Sequence, residues 1–309
     1  MEKAPDGRIL LITLGDPDGI GSEIIKKSLE SIRLQIPVVL LGNRKYYNDD
    51  SIEVLEEIRH SVKEKVSFLE VNTEGNDPSF MYVKEAVSLA LNDPKYAIIT
   101  APISKEKWIG SGNQFMGHTD YLVKSCDVNK WAMFFWSDSI KVALYTTHIP
   151  LRDIFSEIKK EKIMNFCRFI NSELFRLTGK KFDLLMSGLN PHSGESGTIG
   201  KEEEEEIEPA VKELQKEMNI EGPFPPDTIF IEAEKRKDPV VISLYHDQGL
   251  IPFKLNNINS GVNLTLGLPF IRTSPDHGTA YDIAGKGIAD PGSMIEAIKL
   301  ADQLLKVKT

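Results

Sequence analysis

The sequence predicts an α/β fold built on a largely parallel sheet, and two observations support this. Short apolar runs alternate with amphipathic stretches along the chain, which is typical of strands separated by helices. The chain has 309 residues, of which 41% are hydrophobic, so it can bury a core in one large domain or in two lobes. The strand-like runs lie at 8–13, 38–41, 66–71, 96–100, 182–187 and 240–245.

Amphipathic segments between these runs predict the helices, because their apolar residues recur three or four positions apart. The middle of the chain differs from the rest. The runs 131–137 and 140–146 are joined by a very short polar turn, which predicts an antiparallel hairpin. We therefore expect two lobes, the second inserted in the middle of the chain. Helices are expected from about Ser22, over 83–90, over 163–177 and from Ser293.

Charge and cysteine content argue against several classes of function. Lysine and arginine number 37, and aspartate and glutamate 46, so the net charge is −9 and the clustered cations of nucleic-acid binding are not expected. Cys126 and Cys167 form no CxxC motif, which argues against a zinc–thiolate site or a disulfide framework. No apolar stretch approaches the roughly 18 residues of a membrane span, and the chain opens with no signal-peptide pattern. We expect a cytoplasmic protein without nucleic-acid or membrane partners.

Two charged features are expected to be inert surface. His60 lies on a charged, helix-like segment away from any polar motif. The run Glu202–Glu206 predicts the exposed start of a helix, since acidic side chains favour the positive N-terminal end of the helix dipole.

Three of the six histidines each follow a predicted strand or its terminal turn. His148 follows the run 140–146, His192 follows 182–187, and His246 ends 240–245. Ligands of open α/β sheets gather at the carboxyl ends of the strands. Three imidazoles so placed could bind one divalent metal and leave a coordination position for substrate. From the residues alone, this hypothesis and that of three ordinary loop histidines are about equally supported.

Two further sets of residues have the chemistry of phosphate ligands. A glycine-rich loop precedes His118 and Thr119, but it lacks the lysine of a P-loop, so we expect it to bind a smaller anion than a nucleoside triphosphate. Lys254, Asn263 and Arg272 lie in glycine-rich, loop-like surroundings late in the chain. Taken alone, this second set is better explained as ordinary surface charge.

Eight motifs together, in this order, resemble the signature segments of the 4-hydroxythreonine-4-phosphate dehydrogenase (PdxA) family. They span roughly residues 12 to 300, and their joint order is far more specific than any one of them. The motifs are TLGDPDGIGSE, TAPISK, GHTDYL, TTHIPLRD, SGLNPHSGESGTIGKEE, GPFPPDT, YHDQGLIPFK and GLPFIRTSPDHGTAYDIAGKG.

The resemblance implies an isocitrate/isopropylmalate dehydrogenase-like fold, with two α/β lobes and an active-site cleft between them. We expect residues 1–105 and 262–309 to form the terminal lobe, which carries the nucleotide-binding segment. Residues 106–261 are expected to form the central lobe for metal binding and dimerisation. The family shares its active site across a homodimer, with metal ligands from both subunits.

The resemblance also assigns site residues. Asp227 and Asp247 flank the site and are the candidates for proton handling. The segment around Asp282 resembles the adenosine-binding loop of isopropylmalate dehydrogenases, where an aspartate accepts from the ribose 2′-hydroxyl, so NAD is expected over NADP. The implied metal ligands are His148, His192 and His246, the substrate contacts are His118, Thr119, Lys254, Asn263 and Arg272, and the cofactor contacts are His277, Gly278, Ala280 and Asp282.

The implied activity is the NAD- and metal-dependent oxidative decarboxylation of 4-phosphooxy-L-threonine in pyridoxal 5′-phosphate biosynthesis. Zinc is the expected metal, with magnesium, manganese or cobalt as alternatives. Ser104, Asp120 and Pro275 depart from the residues that are common in the family. They leave open a four-carbon sugar-acid phosphate, D-threonate or D-erythronate 4-phosphate, as the substrate. A phosphate acyltransferase of the same fold is a further alternative.

Overall fold

The computed structural model describes residues 7–58 and 65–307, and it forms two compact units. The terminal unit contains the chain up to Trp131 and again from Asn259, and the central unit contains Ala132–Ile258. The inferred division after residue 105 therefore differs from the observed one, because residues 106–131 belong with the terminal unit. Aromatic packing explains the difference: Trp108 and Tyr121 lie edge-to-face against Phe80, at centroid distances of 5.2 and 5.1 Å.

The terminal unit has a mostly parallel sheet in the order β3-β4-β2-β1-β5-β12-β11, in which only β11 and β12 pair antiparallel. Its central strands are wholly buried, because helices cover a parallel sheet on its faces. The strands are β1 (Ile9–Thr13), β2 (Val38–Gly42), β3 (Glu53–Leu55), β4 (Val66–Glu70), β5 (Tyr96–Thr100), β11 (Val262–Leu266) and β12 (Ile271–Pro275). The helices are α1 (Gly21–Ser31), α2 (Pro78–Asn92), α3 (Lys105–Gly110), α4 (His118–Ser125) and α10 (Gly292–Val307).

The central unit has strands in the order β6-β7-β10-β8-β9, with one antiparallel pair, β6 and β7. The strands are β6 (Ala132–Trp136), β7 (Lys141–Leu144), β8 (Asp183–Ser187), β9 (Ile220–Phe224) and β10 (Pro239–Ser243). The helices are α5 (Ile154–Glu157), α6 (Lys160–Thr178), α7 (Glu208–Leu214), α8 (Ile229–Glu234) and α9 (His246–Asn257).

The predicted α/β class is confirmed, and so is each strand and helix expected from the sequence, including the hairpin of β6 and β7. The run Glu202–Glu206 was expected to be exposed, and this expectation is wrong at one position. Glu203 is only 1% exposed, in a wide π-helical turn over Glu203–Ile207. Cys126 and Cys167 are free thiols, the latter buried on α6. His60 lies outside the described residues.

Within residues 7–58 and 65–307, no helix is long and apolar enough to cross a membrane.

Candidate active site

The three candidate histidines follow three neighbouring parallel strands of the central unit. His148 lies beyond β7, His246 is the first residue of α9 after β10, and His192 lies in the loop after β8. Because β10 pairs with β7 on one side and with β8 on the other, the three loops leave the same edge of the sheet. The rings of His148 and His246 lie 5.5 Å apart between centroids.

Carboxylates fix the orientation of two of these imidazoles. Nδ1 of His246 lies 2.7 Å from Oδ1 of Asp247, and Nδ1 of His192 lies 3.0 Å from Oε2 of Glu195. A metal-binding imidazole commonly donates its second N–H to a carboxylate in this way, which leaves the other nitrogen for the metal. The three imidazoles therefore fit a divalent cation, and in His192 and His246 the Nδ1 contacts leave Nε2 to bind it.

The described part of a single chain does not bring the three histidines together. Among the residues that the structure describes, no group of three or more His, Cys, Asp or Glu side chains is placed to hold a metal ion. The structure thus brings His148 and His246 together, and it does not add His192 to them.

The loop that carries His192 has an unusual backbone. His192, Ser193, Glu195 and Ser196 all have φ between 44 and 53°, in the left-handed region, and Gly194 between them has φ of 77°. Each non-glycine residue in this conformation costs about 1–2 kcal/mol. Contacts outside the turn must offset that cost, and strain of this kind tends to be kept at functional sites.

The terminal unit contains a buried cation without an acidic partner. Arg272 on β12 is 2% exposed, and its guanidinium donates to Oγ1 of Thr265 at 3.1 Å and of Thr100 at 2.7 Å. No carboxylate pairs with it in the described part of the chain. Burial lowers the pKa of Arg272 to about 9, which still leaves it charged at neutral pH. A buried positive charge without a counterion is costly, so this position fits an anionic ligand.

Three candidate substrate contacts leave a buried polar atom without a partner: His118 Nε2, Asn263 Oδ1 and Arg272 Nε. Such atoms are rare in folded proteins and are often satisfied by a ligand or ordered water. His118 begins α4, and burial, Arg272 and Lys105 together lower the pKa of its imidazole well below the usual value. Its ring lies edge-to-face with that of Trp108, at 5.5 Å.

The other assigned residues have simpler surroundings. Thr119 is half-buried in the first turn of α4, and Lys254 is half-buried on α9 of the central unit. Asp227 is exposed in the turn after β9. Asp247 is also exposed, and its carboxylate contacts the imidazole of His246.

The segment 276–290 of the terminal unit has no regular secondary structure but is firmly anchored. The hydroxyl of Tyr281 donates to Oδ2 of Asp16 at 2.6 Å, and Nζ of Lys107 binds Oδ1 of the same carboxylate at 2.8 Å. The backbone N–H of Ile20 donates to the carbonyl oxygen of Thr279. These contacts hold the segment against the loop that follows β1.

The proposed cofactor contacts lie along this anchored segment. Asp282 is exposed, and Ala280 has φ of 46°. His277 Nε2 is buried without a partner, and a Cβ on Gly278 would meet nothing within 4 Å. The exposed carboxylate of Asp282 can accept a hydrogen bond from a hydroxyl group, which is the chemistry that a ribose requires.

Two departures from the family pattern have local structural roles. Ser104 caps α3, since its Oγ accepts from the N–H of Lys107 at 3.2 Å. Asp120 accepts from the N–H of Met116 at 3.0 Å and pairs with Lys124. The third departure, Pro275, is buried at the end of β12, opposite Val262.

Comparison with known proteins gives a consistent result. The family model of the pyridoxal phosphate biosynthetic protein PdxA matches residues 14–301. The 4-hydroxythreonine-4-phosphate dehydrogenase of Sulfurihydrogenibium sp. is 44% identical, over 97% of this chain and 99% of that protein. The D-threonate 4-phosphate dehydrogenase of Salmonella typhimurium is 37% identical, over 96% of this chain and 99% of its own.

Solved structures support the fold. The 4-hydroxythreonine-4-phosphate dehydrogenase of Klebsiella pneumoniae superposes with a TM-score of 0.84 at 32% identity, over 98% of this chain and 99% of that one. An isocitrate dehydrogenase from Methylococcus capsulatus superposes with a TM-score of 0.52 at 13% identity, over 97% of this chain and 88% of that one. At this low identity, the similarity shows a shared fold alone. The isocitrate dehydrogenase-like fold expected from the sequence is thereby confirmed.

Proposed function

Because the chain belongs to the PdxA family, we propose that it oxidises and decarboxylates 4-phosphooxy-L-threonine to 3-amino-2-oxopropyl phosphate, with NAD as the hydride acceptor. The reaction converts one substrate and NAD to the aminoketone phosphate, carbon dioxide and NADH. This activity would place the enzyme in the biosynthesis of pyridoxal 5′-phosphate. Relatives named 4-hydroxythreonine-4-phosphate dehydrogenase support a dehydrogenase activity.

The buried guanidinium of Arg272 is the observation that carries the proposal. It has no acidic partner among the described residues, and its Nε is left without any partner. The phosphate of the substrate would supply the missing negative charge, with His118, Thr119 and Asn263 as further contacts. Lys254 is the additional phosphate contact that the family pattern assigns. Binding at the phosphate would orient the oxidisable carbon.

The metal is proposed to bind to His148, His192 and His246, with zinc as the expected ion and magnesium, manganese or cobalt as alternatives. A divalent cation in this position would lower the pKa of the substrate hydroxyl and stabilise negative charge that develops after decarboxylation. Asp247 orients His246 through Oδ1, and its exposed Oδ2 can take the hydroxyl proton. Asp227 is the alternative proton acceptor.

A homodimer is proposed to complete the metal site, since the described residues of one chain bring His148 and His246 together without His192. Helix α9, which begins at His246, supports this proposal. Ile251, Leu255 and Ile258 are 60, 78 and 60% exposed. Ile251 and Leu255 lie on one face of the helix, and Ile258 directly follows its last residue. An exposed apolar stripe of this kind favours burial against another protein surface. We propose that His192 of a second copy supplies the third ligand.

The direct test supplies substrate, NAD and a divalent metal to the purified protein and follows the absorbance of NADH. We expect metal-dependent NADH formation that EDTA abolishes. A folded protein that forms no NADH with any of the four metals would refute the proposal. Elemental analysis of the purified protein also separates it from a phosphate acyltransferase of the same fold, which should contain no catalytic metal.

A second candidate substrate is D-threonate 4-phosphate, or D-erythronate 4-phosphate. The 37% identical relative from Salmonella typhimurium favours it. These compounds share the phosphate and the oxidisable hydroxyl with 4-phosphooxy-L-threonine, but they carry a hydroxyl group in place of its amine. The ratio of kcat/KM for the two classes decides between them, and we expect it to favour the amine. The cytoplasmic location expected from the sequence stays a prediction.

A further inference from the structure

Glu203 differs from its acidic neighbours in the run Glu202–Glu206. It is 1% exposed, whereas Glu204 and Glu205 are exposed. Among the described residues, no lysine or arginine forms an ion pair with it. A buried carboxylate needs compensation by hydrogen bonds, and Glu203 receives it from N–H donors alone.

All of these donors lie just before His192. Oε1 of Glu203 accepts from the backbone N–H groups of Leu189 and Asn190, each at 2.8 Å, and Oε2 accepts from Nδ2 of Asn190 at 2.9 Å. The same amide group of Asn190 also donates to Oε2 of Glu202 at 2.8 Å. Bonds from N–H groups to an ionised carboxylate are stronger than those between neutral groups.

The same carboxylate also contacts the chain just after His192. A Cβ built on Gly194 would lie 2.7 Å from Oε2 of Glu203, so the backbone of Gly194 packs directly against the carboxylate. Glu203 therefore restrains the loop on both sides of His192. Between these two contacts, His192 and Ser193 have the left-handed conformation, and the carbonyl oxygen of Asn190 accepts from the N–H of Ser193.

We infer that Glu203 is a positioning residue, which holds the left-handed turn 192–196 and thereby presets the imidazole of His192 for a divalent cation. The inference rests on the proposed role of His192 as a metal ligand. Glu203 does not touch the metal; it fixes the backbone from which the ligand projects. Without the carboxylate, the turn loses its anchor and relaxes towards conformations in which His192 points elsewhere.

The test measures the affinity of the metal-free protein for Co²⁺ alone, from the visible absorption of the bound ion, with no substrate or NAD present. We compare wild type, Glu203→Gln, Glu205→Gln and His192→Ala. The substitution Glu203→Gln keeps the size of the side chain and removes the charge, and Glu205→Gln makes the same change at an exposed position of the same run. Circular dichroism and the binding of inorganic phosphate show that each variant is folded.

We expect Glu203→Gln to weaken Co²⁺ binding by about ten- to a hundredfold, the range seen when residues that orient a metal ligand are lost. Phosphate binding should stay unchanged, and Glu205→Gln should match wild type. Equal Co²⁺ affinity of folded Glu203→Gln and wild type would overturn the inference. Absence of Co²⁺ binding by wild type, or wild-type affinity in His192→Ala, would instead refute the proposed metal ligand.

A milder variant decides the question if Glu203→Gln does not fold. Asn190→Ala removes only the side-chain donor to Glu203 and retains both backbone bonds. We expect it to fold and to bind Co²⁺ several-fold more weakly than wild type. Unchanged affinity in Asn190→Ala would then count against the positioning role.

Discussion

Nδ1 of His246 lies 2.7 Å from Oδ1 of Asp247, the residue that follows it in the first turn of α9. This contact gives Asp247 two separable roles, in metal binding and in proton transfer. We expect Asp247→Asn to weaken metal affinity by about tenfold or more. The amide of asparagine lacks the negative charge with which the carboxylate makes the imidazole of His246 a stronger metal ligand. Titration with Co²⁺ measures this, and Asp50→Asn, at a fully exposed aspartate, is the control.

The role of Asp247 in proton transfer is tested with the variant Asp247→Asn at a saturating concentration of metal. If Asp247 takes the hydroxyl proton, kcat stays low even when the metal site is full. Full recovery of kcat at high metal concentration would leave Asp247 with the orienting role alone and would transfer the proton role to Asp227.

Arg272→Gln should weaken binding of the substrate phosphate by about ten- to a hundredfold, since hydrogen bonds to charged groups contribute about 1.5–3 kcal/mol. Competitive inhibition by inorganic phosphate measures the loss of phosphate affinity by itself, because this ion lacks the carbon that the enzyme oxidises. Arg33→Gln, at an exposed arginine of the same unit, should behave like wild type. A variant with unchanged phosphate inhibition would show that the buried cation has a purely structural role.

Coenzyme choice should depend on Asp282. A carboxylate there repels the 2′-phosphate of NADP, so Asp282→Ser should raise the ratio of kcat/KM for NADP over NAD by about tenfold. The same substitution at Asp50 is the control. If the ratio does not move, the exposed carboxylate does not face the ribose, and the assignment of the segment 276–290 to the cofactor fails.

A shared metal site predicts complementation between two inactive variants. We expect His192→Ala and His246→Ala each to be inactive alone. Because the proposed site combines His148 and His246 of one chain with His192 of the other, the mixed dimer retains one intact site out of two. Co-expression with two different affinity tags isolates that dimer, and about half of the wild-type activity is expected. A mixed dimer without activity would indicate that each chain supplies all three ligands.

The lowered pKa of His118 predicts a pH dependence of stability. The unfolded chain takes up a proton on this histidine below about pH 6.5, while the folded chain does not. The contribution of His118 is therefore fully present above that pH, and the free energy of unfolding falls as the pH drops below it. Urea midpoints from about pH 7 to about pH 5 should show a flatter dependence in His118→Gln than in wild type. Identical slopes would contradict the burial of a neutral imidazole.

Periodicity predicted most of the apolar strands and the long helices, but it missed several strands, among them β11 and β12. The reason is chemical, since Asn263, Thr265 and Arg272 interrupt the apolar pattern of these strands. Asn263 and Arg272 belong to the candidate anion site and Thr265 binds Arg272, so in these two strands the residues that carry function also hide the strand pattern.

Helix α9 was also missed, because Gly249 and Pro252 lie inside it and both usually argue against a helix. The structure explains the glycine: a Cβ there would lie 2.8 Å from Cγ1 of Val142 and 2.9 Å from Cδ2 of Leu144. The helix packs on β7 at a distance that no side chain permits. Only the fold reveals this requirement, just as only the fold reveals that one glutamate of an acidic run is buried.

The packing of Trp108 also provides a spectroscopic probe. Its indole is fully buried, donates to Oγ of Ser79 at 2.8 Å, and lies edge-to-face with the ring of His118. A phosphate that binds beside His118 would change the charge close to the indole, and indole emission responds to nearby charge. Intrinsic fluorescence of the unlabelled chain should therefore follow occupancy of the anion site in real time, without substrate turnover or a reporter dye.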